Sequence, residues 1–150
     1  MQLMLALLLV MPSSLFQQAA AAGKPQGMTE SAAFAQFQAE KNPEAKKKLA
    51  LNFEKNYPKS RRLPDVYIEL SKVLVGANEY VAARQYAEKA VSTVDKLKTQ
   101  PTPPENTDKT WHDWLSTLDA SARSNVTWVN QMAAWQQQQL RGLLNSGRQK

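Results

Sequence analysis

Two runs of apolar residues at spacings of three and four lie back to back between Pro64 and Leu97. In the first, Tyr67, Leu70, Ser71 and Leu74 share one face of a helix that Pro64 opens, since its fixed φ and missing N–H suit a first helical turn. Gly76-Ala77-Asn78 ends that helix where a reversal is expected, and Glu79 sets an acid at the positive end of the next one. Along the second run Tyr80, Ala83, Ala87, Ala90, Val91, Val94 and Leu97 form one stripe, in which the alanines leave room for bulky side chains on the facing helix. The spacing predicts a close antiparallel helix pair.

The pattern continues in both directions. Thr29 is placed to cap a helix from Glu30 to about Lys41 with Ala33, Phe34 and Phe37 on its apolar side. Asn42-Pro43-Glu44 then joins a capping amide, a first-turn proline and an acid near the positive end of the helix dipole, and Leu49, Phe53 and Tyr57 follow at helical spacing. That helix is expected to end at Asn56-Tyr57-Pro58-Lys59-Ser60. Residues 101–107, inside the stretch TQPTPPENTD from Thr99 to Asp108, predict an extended Pro-rich linker poor in hydrogen bonds. Helical periodicity returns over 108–145 as one long helix or two. If the helix is continuous, Trp111, Leu115, Leu118, Ala122, Val129, Met132, Ala133, Leu140 and Leu143 fall within one face. Trp114, Trp128 and Trp135 differ by multiples of seven and drift only about 20° per heptad, so they border that face as a second row. The row reads first as core and rim, and second as a ligand-facing aromatic strip. Residues 146–150 are expected to fray.

Counted as one 34-residue unit, Pro64 to Leu97 resembles a tetratricopeptide (TPR) repeat. Tyr67 stands for the pattern's Trp, Leu70 for its Leu, Ser71 for its small Gly and Leu74 for its Tyr. Tyr80 matches the turn aromatic and Ala83 and Ala90 the small positions, while Ala87 and Asp95 depart from the usual Phe and Pro. Leu49 and Phe53 fall one repeat length before Ala83 and Ala87, so the preceding pair of helices resembles a degenerate earlier repeat. Tyr57-Pro58-Lys59-Ser60 resembles the punctuation between repeats of bacterial envelope proteins such as the outer-membrane assembly lipoproteins, whose lipid-bearing cysteine this chain lacks. The resemblance covers about Pro43 to Leu97. It implies an all-α superhelix of antiparallel helix hairpins over 30–100, followed by the long C-terminal helix or helix pair. It also implies a concave groove lined by the first helix of each repeat. Carried onto this chain, the groove positions are Asp65, Ile68, Lys72 and Val75, a mixture of charge and exposed apolar surface.

Composition narrows the chemistry. A chain of 150 residues with 43% hydrophobic and 21% charged residues suits one soluble globular domain. With no cysteine there is no disulfide framework, thiolate metal site or cysteine nucleophile. The one histidine, His112, is followed by Asp113, but neighbours on a helix point about 100° apart and cannot form a base with its orienting acid. No nucleophile motif, phosphate loop or metal-ligand spacing accompanies them, so the expectation is a protein without catalysis, cofactor or metal.

Charge adds one signal. Of the net +6, Lys46, Lys47, Lys48, Lys55, Lys59, Arg61 and Arg62 fall within 17 residues whose sole acid is Glu54. Such a field could dock an anionic envelope polymer or lipid headgroups. No nucleic-acid motif or interleaved aromatic row accompanies it, and nucleic acid is not an expected partner.

The apolar run Leu3–Met11 and the small residues up to Ala22 read residues 1–22 as a signal peptide, although Met1-Gln2 supplies no positive charge. The run is far short of the roughly 20 residues that a membrane-spanning helix needs. Residues 23–29 read as a flexible junction. The expectation is an exported protein, periplasmic or secreted, that serves as a non-enzymatic interaction module or scaffold for a protein or peptide. Its alternatives are the basic surface binder and a subunit whose end helices pack in a larger envelope assembly.

Overall fold

The computed structural model describes residues 28–147. The signal-peptide reading of 1–22, most of the junction and residues 148–150 lie outside that range. The described residues form an all-α fold of five helices: α1 (Glu30–Ala39), α2 (Pro43–Asn56), α3 (Leu63–Gly76), α4 (Tyr80–Lys98) and α5 (Asp108–Gly147). Local chemistry sets the boundaries. Thr29 Oγ1 accepts the Ala32 N–H at 3.3 Å and Asn42 Oδ1 the Ala45 N–H at 3.0 Å, so both predicted caps form. Pro43 and Pro64 occupy first turns.

The α3–α4 reversal falls at Gly76-Ala77-Asn78, where the sequence places it. Asn78, not Gly76, takes the left-handed conformation, with φ of 63°. The Glu79 N–H then donates to Leu74 O at 2.8 Å and the Asn78 N–H to Val75 O at 3.0 Å, which satisfies two carbonyls that a helix end would leave open. Asparagine tolerates this φ better than other side-chain-bearing residues.

Each helix packs on the next in the chain, and α3 also packs on α5. That makes α3 the centre: Val66, Tyr67, Leu70, Ser71 and Leu74 are buried, and Ala83, Ala87 and Ala90 of α4 have no exposure at all. Small residues on α4 let it approach α3 closely. At the other end of the fold Phe34 stacks obliquely on Phe37 and Phe53, with ring centroids 6.2 and 5.9 Å apart, and so fastens α1 to α2.

Residues 108–147 form one helix, not two. No proline interrupts it, and Gly142 lies in open space where helix continuation meets no obstacle. Trp111, Leu115, Leu118, Ala122 and Val129 bury one side of α5, while Thr110, Thr117, Ser124, Thr127 and Gln131 face outward, exposed. Asn125 Nδ2–H donates to Ser71 Oγ at 2.7 Å, and Ser71 in turn donates to Ile68 O, a buried polar link between α5 and α3. Lys98 and Arg123 both reach Asp119, at 2.9 and 3.0 Å, and Arg123 also reaches Asp95 at 3.0 Å, tying α4 to α5 at the surface.

The Pro-rich connection is less open than its composition predicts. Pro103 is buried, the Asn106 N–H donates to Pro103 O at 2.9 Å, and Glu105 receives Arg61 at 2.6 Å. A charge pair and a turn fasten it to the body, so residues 101–107 are a structured connection.

Candidate functional site

Because α1 packs on α2 and not on α3, the space beside α3 is left open on that side and becomes a groove. It consists of two adjoining clefts of about 470 and 620 Å³. The first is lined by Phe34, Arg61, Arg62, Asp65, Asn106, Thr110, Trp111 and Trp114. The second is lined by Phe34, Phe37, Gln38, Lys41, Lys46, Asp65, Ile68, Glu69, Lys72 and Ser121. Phe34 and Asp65 belong to both. Helix α3 is thus the floor, and α1 and α5 are the walls.

Three of the four groove positions taken from the repeat resemblance, Asp65, Ile68 and Lys72, line this groove. Val75 does not. The expectation of exposed apolar surface is corrected as well: Ile68 and Val75 are each only 7% exposed. The long α5 lies over α3 and covers the area that these side chains would otherwise offer. The apolar surface available in the groove comes from half-buried Trp114, which stacks on buried Trp111 with centroids 5.0 Å apart, while Phe34 and Phe37 line the clefts as buried rings.

The predicted continuous basic field is split by ion pairs. Lys46 lies 5.1 Å from the centre of the Phe37 ring and 3.9 Å from Glu69. Lys47 donates to both carboxylate oxygens of Glu79, at 2.7 and 2.9 Å, a bond that raises its pKa. Arg61 pairs with Glu105 at 2.6 Å and sits over Trp111, while Arg62 sits 4.7 Å from the Phe34 centroid and 4.0 Å from Glu30. Lys48, Lys55 and Lys59 are exposed and enter none of the ion pairs among the described residues. Positions 46 and 48 are about 200° apart on a helix, so one short sequence run is divided between opposite sides of α2.

Within the groove the electrostatics are mixed. Lys41, Lys46, Lys72, Arg61 and Arg62 stand against Asp65 and Glu69. Burial pushes the Asp65 carboxyl above its usual range, and Arg62 partly offsets the effect. A groove of this kind can take a segment bearing apolar and acidic side chains.

The tryptophan row divides. Trp114 is half-buried in the groove, whereas Trp128 and Trp135 are 38% and 55% exposed beyond it. Ser121, one heptad after Trp114, lines the groove; the row of sevens contained this signal, but attention to aromatics alone passes over it. His112 is exposed, and Asp113 pairs with Lys109 at 2.8 Å. Among the described residues no three His, Cys, Asp or Glu side chains gather as metal ligands. No protein-family model, curated protein or solved structure matches the chain.

Proposed function

We propose that this chain is a non-enzymatic interaction module of the bacterial envelope that holds a peptide segment of a partner protein in the groove across α1, α3 and α5. The observation that carries the reading is that α1, α3 and α5, with Lys46 of α2, line two adjoining clefts that share Phe34 and Asp65, so the groove is not the work of a single hairpin. That is what TPR-like stacking of helix hairpins produces. The five groove cations and the half-buried Trp114 suit a segment that carries acidic and apolar side chains. The apolar run and small residues of 1–22 support export as the route to such a partner.

A displayed library of random peptides, selected on the full chain, is expected to yield a shared motif. Ser121→Trp, at an exposed position on the groove wall, should abolish its binding without altering the thermal melt. Paired Lys41→Glu and Lys72→Glu changes should weaken acidic motifs by about tenfold, the scale of one to two kcal/mol of lost charge attraction. Selected peptides that bind the Ser121→Trp variant as tightly as the wild type would refute the groove assignment.

A further inference from the structure

Helix α5 outruns the rest of the fold. Its forty residues span about 60 Å, against about 28 Å for the nineteen of α4. The Gln136 amide, 3.4 Å from Asn78, marks where the body stops. From Gln137 to Ser146 every residue is exposed. Counted at about 100° per residue, Leu140, Leu143 and Leu144 prolong the same arc that Leu115, Leu118, Ala122 and Val129 bury further back. They are 52%, 69% and 66% exposed. The helix therefore carries its core-facing stripe beyond anything in the fold that could cover it.

Charge selects the occupant. Arg123 is paired with Asp119 and Asp95 in the body, but from Ser124 to Lys150 the sequence has Arg141, Arg148 and Lys150 and no acidic residue. A second copy of these last turns would bring like charges together with no carboxylate in them to pair the arginines. The groove of a second copy is itself predominantly cationic. A leucine stripe on last turns that carry arginine and no acid is the composition of a segment that lies in a membrane interface, where anionic headgroups supply the missing negative charge. No described helix is long and apolar enough to cross a membrane. We infer that the last turns of α5 dock flat on an anionic lipid surface, with Leu140, Leu143 and Leu144 entering the headgroup boundary and Arg141, beside them on the helix, meeting lipid phosphates. The groove lies toward the opposite end of the helix and stays open to its own ligand.

The test uses the full chain and vesicles of phosphatidylcholine, alone or with about one-third phosphatidylglycerol, whose surface charge attracts basic residues at about 1 kcal/mol each. Co-sedimentation is expected to be about tenfold stronger with the anionic vesicles and to weaken with added salt. A triple change of Leu140, Leu143 and Leu144 to Ser, all at exposed positions, should reduce the anionic-vesicle binding to the neutral-vesicle level with an unchanged melt. The apolar run Leu3–Met11 is present in every variant, so only the difference between variants is read. Binding that survives the triple change would overturn the inference. So would a mass in light scattering that doubles with concentration, is halved by the triple change, and is not accompanied by any vesicle preference. That result would assign the face to a second copy.

Discussion

Ser71 shows how much one side chain can decide. Its small size suits the close α3–α4 contact, yet its hydroxyl is also the acceptor for Asn125 of α5, and both residues are buried. The Asn125 Oδ1 oxygen is buried with no partner, so this polar link is only partly satisfied. Ser71→Ala should cost about 1–3 kcal/mol, because it leaves the Asn125 amide without its acceptor. Ser71→Ala combined with Asn125→Leu should recover most of that loss, since removing both partners also removes the need to desolvate either. Denaturant unfolding of the two single variants and the double variant checks this, and simple additivity would contradict it. Ile68 and Val75 belong to the same scale. At 7% exposure their replacement by Ser should lower stability by about 2–4 kcal/mol each, so neither is a clean probe of the groove.

Among elements, α4 has the most restrictive face. Ala83, Ala87 and Ala90 are fully buried, which leaves no volume for added methyl groups where α4 meets α3. Ala83→Leu or Ala90→Leu should destabilise the domain by about 1–3 kcal/mol through overpacking, measured as a shift in denaturant midpoint at constant slope. If both variants unfold like the wild type, the close packing of these helices is refuted. Helix α5 shows the opposite condition. One sequence face is core along its first part and bare along its last, and the change occurs where α3 and α4 end, not where the amino-acid pattern alters.

For the whole molecule, attachment of α5 depends on charge as well as on its apolar stripe. Lys98, and then Arg123, hold the Asp119 carboxyl below its ordinary range by hydrogen bonds. A depressed folded value means that the contribution is complete above the unfolded value near 3.8 and is lost as pH falls from there through the folded one. Asp119→Asn should therefore be less stable than the wild type at neutral pH, by less than about 1 kcal/mol for so exposed a network. The gap should close in acid and shrink in high salt. Melts of both proteins from neutral to acid pH test the sign, and a gap that widens toward low pH would contradict it.

The elements themselves were readable from local chemistry. Thr29, Asn42, Pro43 and Pro64 mark helix starts by groups that act within one turn, and the three- and four-residue spacings locate the buried faces of α2, α3 and α4. The choice between one and two helices in the last segment was open, because a continuous period does not reveal what lies beneath it. Only tertiary structure decided that Ile68 and Val75 are covered, that the cations of 46–62 are shared among separate acids, and that Phe34, Asp65, Trp114 and Ser121 meet at one groove. Periodicity reports which side of a helix is apolar, whereas exposure, pairing and juxtaposition depend on which distant segment arrives at that side.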